Sequence, residues 1–228
     1  MLIAAAVCPY PPLLVPRVAG GAAAELARVR AACERAVAAL AAARPDRLTV
    51  VGGGGRTRVH PAGAAGSLAG YGVDVVVGRG PGTLPLSLTL GRWLAERCGA
   101  APHSYAEVAG DARTEECLVL GAALAEEAPR VALLVMGDGS ARRAANSPGR
   151  MDGRAAGYDE ALAEALERAD VRALAGLDPA LSDDLMAEGR AAWQVLAGAA
   201  DGAGLAGELL AHEAPYGVGY FVARWLPR

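Results

Sequence analysis

The stretch VALLVMGDGSARRAANSPGRMDGRAAGYDEALAEAL, residues 131–166, decides the fold. It begins with six consecutive apolar residues, Val131 to Met136, which end at the polar turn Gly137-Asp138-Gly139-Ser140. A short apolar run that ends at a turn is typical of an interior parallel strand, because both faces of such a strand are buried. A helix is predicted from about Tyr158. Ligands of open α/β sheets bind outside the carboxyl ends of the strands, so this turn marks the expected mouth of a site.

The rest of the chain alternates between short apolar runs and helical periodicity. In one predicted helix, for example, apolar residues from Leu26 to Leu40 recur at spacings of three and four. Strands are predicted at residues 2–7, 47–51, 73–77, 104–108, 205–212 and 217–225, and helices at residues 22–43, 84–98, 114–127 and 180–199. This order predicts one domain, residues 1–228, with a three-layer αβα architecture and a mostly parallel (mixed) central sheet.

Four loops that follow predicted strands are rich in glycine or proline. They are CPYPP at 8–12, GGGG at 52–55, GRGPG at 78–82 and GDGS at 137–140. Because parallel strands have their carboxyl ends at one edge of a sheet, we expect these loops to converge on one cleft. The GGGG run does not fit a nucleotide-binding loop, since the chain has no Lys for a P-loop and lacks the dinucleotide spacing. We interpret it as a loop with close backbone packing.

Composition restricts the classes of function. The formal net charge is -3 and the pI is about 5.7, which argues against a nucleic-acid-binding protein. No apolar run is long enough to span a membrane, and residues 1–14 are typical of a first strand rather than a signal peptide. The four cysteines are scattered without a Cys-x-x-Cys pair, as expected of buried small side chains in a reducing cytoplasm. We therefore predict a cytoplasmic protein.

Few residues stand in a pattern that indicates chemistry. The three histidines, His60, His103 and His212, show no metal-ligand spacing, and no G-x-S-x-G motif is present. One region is rich in charged side chains: Asp138, Arg142, Arg143, Arg150, Asp152, Arg154 and Asp159. Two interpretations of this region remain open. It is either a solvated loop cross-linked by ion pairs, or a loop that binds anions or carboxylates through arginine.

Seven segments, in order along the chain, are similar to one protein family. They are CPYPPLLVPRVAG at 8–20, RLTVVGGGG at 47–55, GPGTLPLSLTLG at 80–91, VMGDGSARR at 135–143, GYDEALAEAL at 157–166, MAEGRAAWQVLAGA at 186–199 and APYGVGYFVA at 214–223. Together they resemble the class III extradiol ring-cleavage dioxygenase superfamily, of the catalytic-subunit type of protocatechuate 4,5-dioxygenase, whose relatives include the Memo proteins. The resemblance implies this fold and a non-haem Fe(II) held by two histidines and one carboxylate, with a further histidine as acid–base catalyst.

The histidines of that family are replaced in this chain. By the resemblance, the first metal ligand corresponds to Tyr10 and the second to Gly55 or a neighbour. The acid–base histidine corresponds to a residue within 78–82, a further histidine to Ala141, and the carboxylate to Glu188. Glycine and alanine side chains offer no metal ligand, so two histidines and one carboxylate cannot meet at these positions. We therefore expect a degenerate iron site, with no Fe(II) and no other cofactor.

Three functions are candidates. The first is a protein without dioxygenase activity that binds a small aromatic or anionic ligand in the old cleft, or serves as partner subunit to an active paralogue. The alternative is an enzyme with non-iron chemistry on a small aromatic or carboxylate substrate, with the Tyr10 phenol as donor or acid. The third is a homo-oligomer that pairs through an exposed strand at Gly217–Trp225. The residues expected to line the cleft are Tyr10, Gly55, Asp138, Ser140, Arg142 and Glu188.

Overall fold

The computed structural model describes residues 1–79 and 83–228. In chain order, its strands and α-helices are β1 (Leu2–Cys8), α1 (Pro16–Ala19), α2 (Ala27–Ala42), β2 (Arg47–Gly54), β3 (Arg58–Pro61), β4 (Gly66–Ser67), β5 (Val76–Val77), α3 (Leu86–Arg97), β6 (Ser104–Ala109), α4 (Thr114–Glu126), β7 (Val131–Met136), α5 (Ala155–Arg168), α6 (Val171–Ala175), α7 (Pro179–Asp184), α8 (Arg190–Ala200), β8 (Leu205–Glu213) and β9 (Tyr220–Pro227). Within these described ranges, no helix is both long and apolar enough to cross a membrane.

Seven strands form the central sheet in the order β3-β6-β2-β7-β1-β9-β8. The neighbouring strands β6, β2, β7 and β1 run parallel, whereas β3, β9 and β8 pair in antiparallel fashion. Helices cover both faces of the sheet, with α2 and α3 on one face and α4, α5 and α8 on the other. The predicted three-layer αβα fold with a mostly parallel mixed sheet is therefore confirmed.

Strand β7 lies between β1 and β2 and is buried along its whole length, as its apolar run predicts. Val131, Leu133 and Val135 belong to the core on one face, whereas the alternate residues from Ala132 to Met136 belong to the core on the other. Burying a valine or leucine side chain contributes roughly 1.5–3 kcal/mol. Both faces gain this stabilisation, which explains why the run is continuously apolar rather than alternating.

The carboxyl ends of β1, β2 and β7 meet at one edge of the sheet, where Cys8 and Gly52 both pair with Met136. Three of the four predicted loops therefore start side by side. The fourth loop falls partly on residues 80–82, which lie outside the described residues. The third sheet strand predicted at residues 73–77 is wrong: only Val76–Val77 is extended, and it pairs with β4 in a separate two-stranded sheet. Val76 is 61% exposed there, so this segment is not an interior strand.

The helix predicted at residues 180–199 is instead two helices, α7 and α8, separated by residues 185–189. The chain turns at Met186, whose φ of 54° lies in the left-handed region. Helices commonly end in this conformation, although glycine or asparagine usually supplies it, so methionine gave no sequence signal. The break places Glu188 in an irregular segment just before α8.

The C-terminal strand β9 is not an exposed edge, because it lies between β1 and β8. Its side chains Phe221, Val222 and Trp225 are buried. The prediction that Gly217–Trp225 is an exposed edge is therefore wrong, since strands neighbour β9 on both sides. A homo-oligomer formed through another surface stays a prediction. The edges of the sheet are β8 and the short strand β3, which the sequence did not predict.

Helices α4 and α8 pack against each other at two glycines. A Cβ on Gly121 of α4 would overlap the carbonyl oxygen of Val195, and a Cβ on Gly198 of α8 would overlap that of Leu118. Because glycine has no side chain, the backbones of α4 and α8 can lie in direct contact at these two positions. This close contact fixes the position of α8, whose first turn reaches the edge of the sheet described above.

Candidate functional site

A cavity of about 730 Å³ lies at the edge where β1 and β2 end. Its wall comes from the loops after β1 and β6, the end of β2, the starts of α3 and α8, and the segment from α7 to α8. Small-molecule sites in proteins occupy roughly 300–1,000 Å³, so the volume suits a small ligand. Polar side chains that line it include Tyr10, Ser87, Asp111, Asp183, Glu188 and Arg190.

Tyr10 is held in this wall at both of its ends. Its side chain is buried, with 6% exposed. Its backbone N–H donates to Oδ1 of Asp138 at 3.0 Å, and its hydroxyl donates to Oε2 of Glu188 at 2.7 Å. Burial, followed by the negative charges of Asp138 and Glu188, raises the pKa of Tyr10 far above its usual range. The phenol therefore stays protonated and acts as a hydrogen-bond donor.

Asp138 lies behind Tyr10 in the turn that follows β7, and it does not line the cavity itself. The pKa of its carboxyl group is raised from 3.8 to about 7. Burial is the main cause; the hydrogen bond from Tyr10 opposes the rise, and the charge of Glu188 adds to it. Asp138 therefore titrates near neutral pH, which is unusual for a carboxylic acid. Groups with such shifted pKa values are concentrated at functional sites.

The raised pKa of Asp138 predicts that its contribution to stability is lost as pH rises. Its carboxyl holds a proton up to about pH 7 in the folded state but only up to 3.8 when unfolded, so the unfolded state loses its proton first. We expect the free energy of unfolding to fall by about 1 kcal/mol between about pH 6 and about pH 8. Urea unfolding at the two pH values measures this. Asp138→Asn, which keeps the acceptor for Tyr10, is expected to remove most of the fall; an unchanged fall would contradict the assignment.

Ser140 stabilises the turn after β7 through hydrogen bonds, and it does not line the cavity. Its N–H donates to Oδ1 of Asp159 at 2.9 Å, and its hydroxyl donates to the carbonyl of Leu185 at 3.0 Å. Asp159 is fully buried and also accepts from Arg143 at 3.2 Å. Burial raises the pKa of Asp159 to about 6. The turn is thereby joined to α5 and to the segment before α8.

Arg142 also lies outside the cavity wall, with its backbone N–H donating to Oγ of Ser140 at 3.1 Å. Two other arginines of this loop form ion pairs, and the first is Arg143, which pairs with Asp159 at 3.2 Å. Arg154 forms ion pairs with Asp152 at 2.8 Å and with Asp184 at 3.2 Å. These contacts match a loop cross-linked by ion pairs, the first of the two interpretations left open by the sequence.

The glycine run 52–55 is explained by packing. Three of its residues belong to β2, and Gly53 and Gly54 line the cavity, whereas Gly55 is exposed and lies outside it. Ser87, at the start of α3, donates its hydroxyl to the carbonyl of Gly53 at 2.6 Å. A Cβ on Gly54 would overlap the side chain of Glu107. The predicted close backbone approach is confirmed, but most of the run is strand rather than loop.

None of the three histidines lines the cavity. His60, on the edge strand β3, bonds through Nε2 to Oε2 of Glu107 at 2.9 Å. Nδ1 of His103 accepts the backbone N–H of Leu48 at 3.1 Å. His212 on β8 stacks on the ring of Phe221 at a centroid distance of 4.7 Å.

The donors at the cavity do not fit the Fe(II) centre that the resemblance implies. Across residues 1–79 and 83–228, no three His, Cys, Asp or Glu side chains come close enough to hold a metal ion. At the matching positions stand the protonated phenol of Tyr10, the carboxylate of Glu188, and the side chains of Gly55 and Ala141, which offer no ligand. Neutral imidazole is the usual protein ligand to Fe(II) in such sites, and none is present there.

The sequence missed several residues of the cavity wall. Asp111 and Arg190 lie just beyond β6 and at the start of α8, and Asp183 is on α7. Asp183 and Glu188 reach the same cavity only because the helix breaks between them. A search for acidic residues just after each predicted strand would have found Asp111.

The indole of Trp193 packs beneath this edge and is completely buried. Its ring lies against Gly137 and Gly189, where any side chain would overlap it, and meets the ring of Phe221 edge-on at 6.1 Å. Gly137 and Gly189 directly adjoin Asp138 and Glu188. The two carboxylates that contact Tyr10 are therefore attached to backbone that rests on one tryptophan ring.

Comparisons with known proteins give the fold and no more. No family model and no curated protein matches the chain. Among solved structures, the chain is similar to the uncharacterized protein JW3007 from Escherichia coli K12, with a TM-score of 0.54 and 12% sequence identity. The similarity covers 98% of this chain and 99% of the other. Over almost its full length, this chain therefore has the same fold as the Escherichia coli protein.

Proposed function

We propose that this chain is a class III extradiol dioxygenase-like protein whose degenerate iron site has become a binding cavity for a small organic molecule. The observation that carries the proposal is the hydrogen bond of 2.7 Å between Tyr10 and Glu188 at the wall of a cavity of about 730 Å³. The resemblance matches these two residues with two ligands of one metal ion. Their contact supports the idea that the cavity occupies the place of the family's iron site.

The composition of the wall supports a small organic ligand. Leu86, Pro179, Met186 and Ala187 give it an apolar part, and Tyr10 with Glu188 gives it a polar one. Small-molecule sites typically combine a mainly apolar wall with a few polar groups that orient the ligand. Met186, 40% exposed, adds an adaptable apolar side chain to this wall.

The proposal predicts that the cavity, and not another surface, binds small molecules. The probes are three phenyl compounds of similar size: phenethylamine, 2-phenylethanol and 3-phenylpropionate. We expect ligand-observed NMR to detect binding of at least one of them to the wild-type protein. Ala180→Trp, at an exposed position of the cavity wall on α7, is expected to weaken that binding strongly, because the indole ring occupies part of the cavity.

The matched control is Ala122→Trp, which places the same ring at an exposed position of α4 outside the cavity. It is expected to bind the probes as the wild type does. Binding that Ala180→Trp leaves unchanged would contradict the proposed site. Failure of all three probes to bind the wild-type protein would count against the proposed function itself.

A second candidate function is an enzyme with non-iron chemistry, and Asp138 is the observation that favours it. Its carboxyl group, which lies behind Tyr10, has a pKa of about 7, and a group that titrates near neutral pH is suited to accept and return a proton. Turnover of a panel of small aromatic acids tests this candidate. Activity that Asp138→Asn removes while probe binding persists would favour it over binding alone.

A further inference from the structure

The carboxylates of the cavity wall define the charge of its ligand, an inference that rests on the proposed binding function. Asp111, Asp183 and Glu188 all line the cavity and are all exposed. Among the described residues, none of the three forms an ion pair with an arginine or histidine. The wall therefore carries three negative charges without a cationic partner.

Among the described residues of the wall there is one arginine, Arg190, and its guanidinium already donates hydrogen bonds within the protein. Arg190 is buried, with 5% exposed. Its Nη1 donates to the carbonyl of Ala112 at 2.6 Å and to Oε1 of Gln194 at 3.0 Å, and its Nη2 donates to the carbonyl of Gly110 at 2.5 Å. Arg190 thus secures the loop after β6 to α8. Its two terminal nitrogens already donate three hydrogen bonds within the protein, so Arg190 is poorly placed to bind an anionic ligand.

Two helices begin at the cavity, and the partial positive charges at their N-termini offset part of the negative charge of the carboxylates. The start of α3 at Leu86 and the start of α8 at Arg190 each contribute roughly half an elementary charge. Together they offset about one of the three carboxylates, and Arg190 itself offsets another. The balance stays negative, and Asp138 behind Tyr10 adds further negative charge when it ionises.

Carboxylates elsewhere on this surface commonly pair with arginine, as Glu116 does with Arg113 at 2.7 Å and Glu208 with Arg224 at 2.6 Å. An uncompensated group of carboxylates around a concave cavity focuses negative potential where a ligand would lie. A metal ion is a poor occupant, because no three of the described metal-binding side chains converge. The apolar part of the wall instead favours an organic body attached to the positive charge.

We propose that the ligand is an organic cation, a primary amine with an apolar body, whose ammonium group binds Glu188. Within residues 1–79 and 83–228, the side chain of Glu188 accepts one hydrogen bond, from Tyr10 to Oε2, so Oε1 can accept from an ammonium donor. The apolar body lies against Leu86 and Met186. The sequence suggested an anionic ligand bound by the arginines between Asp138 and Asp159, but the side chains of that region lie outside the cavity. The organic cation replaces that ligand.

Three probes that differ only in their polar end test this inference. Phenethylamine is a cation, 2-phenylethanol is neutral and 3-phenylpropionate is an anion at neutral pH. We expect isothermal titration calorimetry at low salt to give the lowest Kd for phenethylamine. Glu188→Gln is expected to raise the Kd for phenethylamine at least about tenfold, because a charge-assisted hydrogen bond is lost. Asp183→Asn, a second variant at the wall, is expected to raise the Kd for phenethylamine by a smaller factor than Glu188→Gln does.

The matched control is Glu126→Gln, which removes the same charge from an exposed position of α4 outside the cavity and is expected to leave all three Kd values unchanged. Equal or tighter binding of 2-phenylethanol or 3-phenylpropionate would overturn the cation assignment while leaving the binding cavity in place. The same holds if Glu188→Gln has no effect on phenethylamine. If none of the probes binds, both the cation assignment and the proposed function are overturned.

Discussion

Incubated in air with catechol or protocatechuate after anaerobic loading with Fe(II), the purified protein is expected to form no ring-opened product. Extradiol cleavage needs a metal held by three protein ligands that leaves positions open for substrate and dioxygen. Here the matching positions provide Tyr10 and Glu188 but no imidazole. The measurement is the absorbance of the yellow ring-opened product, and the expected result is a rate equal to that of Fe(II) alone.

Tyr10→His is expected to restore no activity. It would place one imidazole beside Glu188, which still leaves the metal one protein ligand short. It would also remove the hydroxyl that donates to Glu188. The variant therefore tests whether a single lost ligand explains the inactivity.

Formation of yellow product by the wild-type protein would contradict this prediction. It would require His60, His103 or His212 to reach the cavity, and each is held elsewhere. His60 would have to leave Glu107 and the edge of the sheet. Such a result would also remove the basis for the binding function proposed above.

Gly121→Ala is expected to lower the free energy of unfolding by about 3 kcal/mol, at the upper end of the usual cost of overpacking. The added Cβ would overlap the carbonyl oxygen of Val195 on α8. That atom belongs to backbone, which cannot move aside as the end of a flexible side chain would. Urea unfolding followed by circular dichroism measures the loss.

Gly157→Ala is the matched control, because it makes the same substitution within a helix at an exposed position with nothing within 4 Å of the new Cβ. There the lower conformational entropy of alanine in the unfolded chain is expected to stabilise the protein by about 0.5–1 kcal/mol. Opposite signs for the two variants would confirm that α4 and α8 meet at Gly121. A similar effect of both would show that helix propensity alone determines the result.

The fold was predictable where one pattern decided it. The run Val131–Met136 placed an interior strand correctly because both of its faces are buried. The pattern failed where tertiary contacts decide. Met186 adopts a left-handed conformation that methionine seldom has, so nothing in the sequence indicated the break between α7 and α8. The apolar segment around Phe221 indicated a strand, but not which neighbours would cover it.

The candidate site was predictable in part, for a geometric reason. Tyr10 and Asp138 follow strands that proved to be neighbours, so their loops meet and hydrogen-bond. Ser140 and Arg142 lie further along the same turn, where the chain has already left the edge of the sheet. Their hydrogen bonds stabilise the turn and do not contribute to the cavity wall. Gly55 lies one residue beyond the strand that contributes to the wall.

The position of Trp193 has a spectroscopic consequence. Indole emission depends on the polarity and charge of its surroundings, and this ring is sealed from solvent beneath the backbone that carries Asp138 and Glu188. A ligand that binds Glu188 changes the charge close to this fluorophore, because Gly189, the next residue, lies against the ring. We therefore expect ligand binding in the cavity to change the fluorescence of Trp193, which can be measured without an added label in a variant whose Trp93 and Trp225 are replaced by phenylalanine.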